Sequence, residues 1–396
     1  ESEIRSISLF TAMFFLLHPI QTESVIYIMS RSEVLAATFY LSAFLLFQVC
    51  LDRSSPPKPG FKLFALFIIP IAFVLGFSVK QTVITLPMML LLYFLFGQSL
   101  DAPLLRILNK WKWGIGVILL ISFSLLFRKL LTDESFLIGP STAGEDIGRL
   151  NYMLTQPSVV LFYYLKLFLF PINLNVDPDI QMVTEWWSWK FWSGLVAITG
   201  FIYFSYRVKG TRFLFFLVLW FLIVISPSSS IITLNDLAAE HRTYLASYAY
   251  YAIVVILIYK LSHLVFPENS NKRKILLLNV SILILIIFFI LTNQRNKIWT
   301  SEVMLWSDTL KKSPKKIRPM INLARAYTTV QNYDSAITYY EKVMALNPNI
   351  FATNFNLGNL YFKKGREKDA IRLLQTAAIL GPYIPEVHGL LGEIYL

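Results

Sequence analysis

The sequence predicts an all-α protein in which a polytopic helical membrane domain is followed by an α-solenoid of stacked helix pairs. Three observations carry that prediction. The chain has 396 residues and is 56% hydrophobic and 15% charged, with a mean hydropathy of +0.56, which is too apolar for an ordinary soluble domain. Residues 1–292 are a succession of apolar runs. Such runs suit a hydrocarbon core ~30 Å thick, which ~20 residues of helix cross while satisfying every backbone polar group internally. Beyond residue 292 the chain turns charged and amphipathic, and Pro314, Pro348 and Pro382 recur every 34 residues.

The apolar runs read as nine spans, near residues 6–20, 32–51, 61–79, 81–97, 112–131, 190–206, 212–229, 243–260 and 275–292. Lys and Arg concentrate in cytoplasmic loops, so the loops sort by charge. One set is basic: Arg53, Lys58 and Lys62; Arg106, Lys110 and Lys112; Arg207, Lys209 and Arg212; Lys260, Lys272, Arg273 and Lys274. The other is acidic or mixed: Asp133, Glu134, Glu145 and Asp146; Asp177, Asp179 and Glu185; Asp236 and Glu240. The acidic set is expected on the periplasmic or lumenal side.

Residues 151–170 are apolar enough to span but lie between two loops of the acidic set. They are therefore expected to form an interfacial or re-entrant helix, in keeping with Tyr152, Gln156, Pro157, Tyr163, Tyr164 and Lys166 along them. The alternative is a tenth span, which inverts everything downstream.

The 34-residue period is that of tetratricopeptide repeats. Counting back from Pro348 puts Leu323, Ala324, Tyr327, Ala336 and Tyr340 at the small and apolar positions where paired helices meet. From Pro382 the same positions hold Leu357, Gly358, Tyr361, Ala370, Leu374 and Ala377, and a third unit opens with Leu391, Gly392 and Tyr395. Residues 318–396 thus read as two complete repeats and a third cut short. Residues 293–317, with Trp306 and Pro314, read as a helix joining the last span directly to the array, with no floppy linker between them. The last span runs outward under the charge assignment, so the repeats are expected outside the cytoplasm.

Composition also excludes some functions. The net charge of +12 is not interleaved with exposed stacking aromatics, so nucleic acid is not an expected partner. The single cysteine, Cys50, sits in an apolar run and rules out a disulfide framework or a cysteine metal site. No HExxH, P-loop, nucleophile elbow or dinucleotide fingerprint is present.

The unusual polar residues fall in the outer loops, and ionisable groups beside hydrocarbon are by default functional candidates. His18, Glu23 and Arg31 lie in HPIQTESVIYIMSR, Lys80 in SVKQT, and Asp236, Glu240, His241 and Arg242 in NDLAAEHRTYL. Arg31, Lys80 and Arg242 suit a lipid-linked phosphate, the guanidinium through paired hydrogen bonds and the ammonium as a compact charge. The bland alternative for each cation is snorkelling to the headgroups. Glu240 is the candidate general base, with Asp236 one helical turn earlier and His241 and Arg242 next in sequence. It serves equally well as a structural partner of Arg242. Asp177 and Asp179 read as a turn, and His18 before Pro19 as a helix terminator or packing residue. A divalent cation is possible, without a sequence signature of its own.

The order of HPIQTESVIYIMSRSEVLA, SVKQTVITLP, NYMLTQPSVV with LFLFPINLNVDPD, AEHRTYLAS and IWTSEVMLWSDTLKKSP resembles the transmembrane and tetratricopeptide-repeat O-mannosyltransferases and their bacterial relatives, within the GT-C class of membrane glycosyltransferases. The resemblance covers nearly the whole chain. It implies a GT-C-like membrane domain and transfer of a sugar from a polyprenyl-phosphate donor to a protein hydroxyl on the lumenal or periplasmic face. By position it implies site roles for His18, Glu23, Arg31, Lys80, Asp177, Glu240 and Arg242, with Arg31, Lys80 and Arg242 at the phosphate. The chain departs from the pattern at Gln21, where histidine is usual, at Ser30 for glycine, at Gln81 for glutamate and at Ala246 for proline. The family's main catalytic acid is expected upstream of Glu1.

The function expected is therefore inverting glycosyl transfer, with a carboxylate deprotonating a Ser or Thr while basic residues stabilise the departing lipid phosphate. The repeats would hold the acceptor polypeptide in their concave groove, and the membrane lipid would deliver the donor. The setting is a bacterial inner membrane in preference to the endoplasmic reticulum. A non-catalytic membrane-anchored scaffold for an envelope or secretion complex is the alternative, and a lipid-linked glycan transporter or polymerase accessory a third.

Overall fold

The computed structural model describes residues 2–52, 57–97, 147–207, 212–229 and 233–396. The expected span at 112–131, and the loop residues Arg53, Arg106, Lys110, Lys112, Asp133, Glu134, Glu145, Asp146 and Lys209, lie outside them. All regular elements among the described residues are helical. The residues fall into two compact units, the first running to Leu174 and resuming over Ile180–Arg295, the second comprising Asn175–Asp179 and Asn296–Leu396.

In the first unit α1 (Ser2–Leu17) stops at His18 because Pro19 disfavours helix at the residue before it. A short helix, α2 (Gln21–Ile26), leads to α3 (Arg31–Leu51), α4 (Pro59–Val79) and, after a tight 3₁₀ turn at Gln81–Thr85, α5 (Leu86–Gly97). The stretch from Arg149 is α6 (Arg149–Ser158), a wide π-helical turn at Val159–Tyr164 and α7 (Leu165–Leu169). Next come α8 (Trp189–Arg207), α9 (Arg212–Ile225), α10 (Tyr244–Val265) and α11 (Ser270–Ile298). Four helices among the described residues are long and apolar enough to cross a membrane: α3, α4, α10 with the 3₁₀ turn before it, and α11. This is an integral membrane protein.

Burial in this unit is inverted relative to a soluble domain. Leu63, Phe64, Leu66 and Phe67 along α4 are 53–66% exposed, as a lipid-facing wall requires. The interior holds Tyr40, Phe44, Val83, Tyr164, Phe168 and Trp220, with a second cluster of Phe10, Phe14, Tyr251, Val255 and Phe288. The 149–169 stretch is woven into this interior. Tyr152 Oη donates to the Ser228 carbonyl (2.6 Å) and Gln156 Nε2 to that of Leu237 (3.0 Å), while Thr155 Oγ1 accepts from Val183 N (2.9 Å). Gly194 of α8 lies so close to it that a Cβ there would sit 2.4 Å from the Pro157 carbonyl oxygen.

The second unit begins with α12 (Glu302–Lys312), whose N-cap Ser301 accepts a hydrogen bond from Met304 N. Then come the pairs α13 (Ile317–Thr329) with α14 (Tyr333–Leu346), α15 (Phe351–Lys363) with α16 (Glu367–Leu380), and the single helix α17 (Pro385–Tyr395). Leu323, Ala324, Ala336, Tyr340, Leu357, Ala370, Leu374 and Ala377 are all buried to 2% exposure or less. Gly358 permits the closest approach, since a Cβ there would meet Leu374 Cγ at 2.9 Å. The turns inside the two repeats share one geometry. Gln331 and Gly365, 34 positions apart, both have positive φ (59° and 74°), and the next amides, of Asn332 and Arg366, close back on the Tyr327 and Tyr361 carbonyls.

Candidate functional site

Several of the polar residues singled out in the sequence meet in the first unit through long-range pairs. On α2, Glu23 is buried, and its Oε1 lies 2.6 Å from His241 Nδ1, the distance of a short N–H···O hydrogen bond. His241 belongs to the 3₁₀ turn Glu240–Thr243 that opens α10. Glu240, its neighbour, is fully buried, with Oε2 3.7 Å from Arg295 Nη2 near the end of α11. Arg295, itself 4% exposed, donates through Nη1 to the Leu174 carbonyl (2.7 Å).

Arg242 turns toward another set of groups. Its Nη1 donates to the Asp236 carbonyl (2.9 Å) and reaches Tyr152 Oη (3.5 Å), and its charge is within electrostatic reach of Glu33. Burial pushes the Tyr152 phenol up to about 12, against the opposing pull of Arg242. Glu33, in the first turn of α3, pairs with Lys80 across 3.1 Å. Lys80 sits where α4 gives way to the 3₁₀ turn, and its side chain is 33% exposed while Glu33 is 5% exposed. Tyr163 and Tyr164, from the π turn, lie within electrostatic reach of both Glu23 and Glu240. Lys80, Glu33, Arg242, Asp236, Tyr152, Glu23, His241, Glu240 and Arg295 thus form one polar cluster in a unit otherwise built of apolar helices.

Several expectations change here. Glu240 faces Arg295 rather than Arg242, because the 3₁₀ turn places successive side chains in different directions. Asp236 does not stack one helical turn before Glu240. Residues 234–239 are not helical, and Asp236 meets Arg242 through its backbone. Of the two carboxylates, Asp236 is half-buried and Glu240 fully buried. His18 is enclosed: its Nδ1 accepts from Ile20 N (3.2 Å), its Nε2 faces the Phe168 carbonyl (3.3 Å), and Phe288 packs on the ring. Arg31 is exposed at the first turn of α3.

Asp177 belongs to the second unit and is more than a turn residue. Lys316 Nζ bonds to its Oδ1, and Arg318 Nε reaches its Oδ2 at 2.7 Å. Asn175 Nδ2 donates to Ser313 Oγ, which donates to the Asp177 carbonyl, both at 2.8 Å. Val176 is packed among Leu305, Trp306, Leu323 and Ala326. Among the described residues no group of three His, Cys, Asp or Glu side chains is placed to hold a metal ion.

A family model described as tetratricopeptide repeat matches residues 328–394. Over 404 residues, covering 95% of this chain, the sequence is 24% identical to "Protein O-mannosyl-transferase TMTC3" of Mus musculus. With "Protein O-mannosyl-transferase TMTC1" of Homo sapiens the identity is 24% over 406 residues and 90% of the chain. The chain is thus similar, at low identity over most of its length, to these O-mannosyltransferases. It spans 43% and 44% of the length of those two relatives. A stretch of 102 residues reaches 36% identity with TMTC1 of Mus musculus. The likeness to the O-mannosyltransferases takes in both units, and the tetratricopeptide match falls within the second.

Three members of the cluster escaped the sequence reading as site residues: Glu33, Tyr152 and Arg295. Glu33 carried a signal, a carboxylate two residues after Arg31 at the start of an apolar helix. Tyr152 looked like an interfacial aromatic. Arg295, in TNQRNK, looked like the polar flank of the last span, and nothing local marks it as the partner of a residue 55 positions earlier.

Proposed function

We propose that this protein is a membrane glycosyltransferase that moves a sugar from a polyprenyl-phosphate donor to a hydroxyl of an acceptor polypeptide on the periplasmic or lumenal face, with the repeats presenting the acceptor. The observation that carries the reading is the polar cluster itself. Most of its members come from the sequence segments that resemble the O-mannosyltransferases; Lys80 pairs there with Glu33, and Arg242 bonds the backbone carbonyl of Asp236, with the half-buried Asp236 carboxylate in its electrostatic reach. The relatives' printed names supply the sugar class, mannose.

In this reading Lys80 and Arg242 bind the phosphate of the donor, and Arg31, exposed on the same stretch of chain as Glu33, meets it at the membrane surface. Asp236 takes the proton of the acceptor hydroxyl. The hydroxyl oxygen attacks the anomeric carbon, the bond from that carbon to the phosphate oxygen breaks, and the lipid phosphate leaves with the electron pair against Arg242 and Lys80. Glu240 and Glu23 orient the turn that carries Arg242, held respectively by Arg295 and His241. The sorting of the loops by charge supports a periplasmic or lumenal location for this face, a bacterial inner membrane being the preferred setting.

The test is transfer of radiolabelled mannose from a polyprenyl-phosphate donor to a Ser/Thr-rich peptide by the full chain in lipid nanodiscs. Arg242→Ala is expected to lower the rate by about 10²–10³-fold, as loss of one charge-stabilising donor does elsewhere. Asp236→Asn should lower kcat with little change in the KM for donor. Full transfer in both variants, each still folded, would remove the site assignment. A wild-type chain that transfers nothing returns the protein to the membrane-anchored scaffold reading.

A further inference from the structure

Arg295 holds together three points of the first unit that are far apart in sequence. It is part of α11, it bonds the Leu174 carbonyl (2.7 Å), and it faces Glu240 (3.7 Å) at the head of the turn that carries His241 and Arg242. Two of those points share a further property. Leu174 and Arg295 are each the last residue before the chain passes into the second unit, at Asn175 and at Asn296. Beyond the first crossing, the Asn175–Asp179 segment is fixed inside the second unit by the Asp177 pairs with Lys316 and Arg318. Beyond the second, Ile298 and Trp299 pack with Leu305 and Trp306.

From this connectivity we infer that Arg295 is a positioning residue through which the state of the repeat unit reaches the Glu240–Arg242 turn. The physical argument rests on what a buried guanidinium tolerates. Arg295 is 4% exposed, and the Leu174 carbonyl and the Glu240 carboxylate are among the groups that compensate its charge. A shift of the backbone at Leu174 alters the bond its carbonyl accepts, one at residue 295 alters both contacts, and the turn bearing Glu240 then follows or its contact with Arg295 weakens. Binding of an extended polypeptide by the repeats is one event that strains those crossings. Coupling of this kind is worth ~0.5–2 kcal/mol in other proteins and runs in both directions. The inference does not depend on sugar transfer, and its test measures none, so it can fail while the proposed reaction stands and the reverse.

The experiment is hydrogen exchange followed by mass spectrometry on the full chain in lipid nanodiscs. Asp177→Asn loosens the segment inside the repeat unit without touching the first unit. It is expected to speed exchange of the amides of residues 240–243 by about two- to thirtyfold. In the charge-neutral background Glu240→Gln/Arg295→Met, adding Asp177→Asn should leave those amides unchanged. Residues 351–380 serve as the control that the repeats remain folded. Where Asp177→Asn unfolds them, the milder Arg318→Gln is used and judged by the same outcomes. Two results overturn the inference: amides of residues 240–243 indifferent to Asp177→Asn in the wild-type background, or accelerated equally when Arg295 and Glu240 are both neutral.

Discussion

Within residues 318–396 the fully buried side chains include Ala324, Ala336, Tyr340, Ala370, Leu374 and Ala377, and the charged pairs Lys364–Asp334 and Arg366–Asp369 lie at the surface; the buried Asp177 carboxylate of the same unit belongs to the segment that packs on its first helices. In the membrane unit Glu23, Glu33, Glu240 and Arg295 are buried to 5% exposure or less, while leucines and phenylalanines of α4 face outward. The difference follows from the solvent. Lipid offers apolar side chains as good a home outside as inside, so the interior of a membrane unit is not filled by exclusion of oil from water. It can be given to polar groups, provided each charge finds a partner. The repeat unit is organised by hydrophobic area and close packing, the membrane unit by a few charge pairs.

The largest effect that tests this contrast comes from breaking a pair in the membrane unit. Arg295→Met removes the guanidinium that faces the buried Glu240 carboxylate and should destabilise the unit by ~3–5 kcal/mol, whereas Glu240→Gln/Arg295→Met should recover most of that loss. Thermal unfolding in detergent, followed by tryptophan fluorescence, measures both. Equal midpoints for the single and double variants would mean that the pair does not organise the interior.

In the repeats the corresponding disruption is steric. Gly358→Leu drives a side chain into Leu374 and the Ala370 carbonyl and should cost about 3 kcal/mol, the upper range for overpacking, read as faster amide exchange across α15 and α16.

A smaller effect comes from pH. Burial raises the Tyr340 phenol to about 12. Its folded-state pKa is above the unfolded value near 10, so its contribution is complete below pH 10 and is lost as pH rises toward 12. The loss is on the order of 2 kcal/mol at the upper end. Tyr340→Phe should flatten that alkaline limb when amide exchange of the repeats is followed against pH.

The smallest change is a gain. Gln331 occupies a left-handed conformation that glycine fills in the next repeat at Gly365, so Gln331→Gly should stabilise the first repeat by about 1 kcal/mol. A loss of stability would show that the Gln331 side chain makes a compensating contact.

The same contrast explains what the sequence revealed. The repeats were legible nearly residue by residue because their contacts recur at a fixed spacing, and each of Leu323, Ala324, Gly358 and Ala370 announces itself by its counterpart one period away. The membrane character was legible from run length and composition alone. The cluster was legible only in its members. Glu23 and His241 are 218 residues apart, and no local pattern says that they bond to each other. Glu240 and Arg242 are neighbours in sequence, yet the 3₁₀ turn sends Glu240 toward Arg295 and Arg242 toward the Asp236 carbonyl, which adjacency in sequence does not reveal. Asp177 reads as a turn in the sequence because its partners, Lys316 and Arg318, lie about 140 positions downstream.

That last segment bears on how such proteins can be recombined. A repeat array is commonly treated as a contiguous cassette, cut at one point and grafted elsewhere. Here the cassette has a missing piece. A graft beginning at Asn296 would carry Lys316, Arg318 and Ser313 without the carboxylate and carbonyls they bind, and would expose the bed that Leu305, Trp306, Leu323 and Ala326 make for Val176. Exchange of arrays between such membrane domains therefore requires two insertions made together, and a lineage that swaps one without the other inherits an open first repeat.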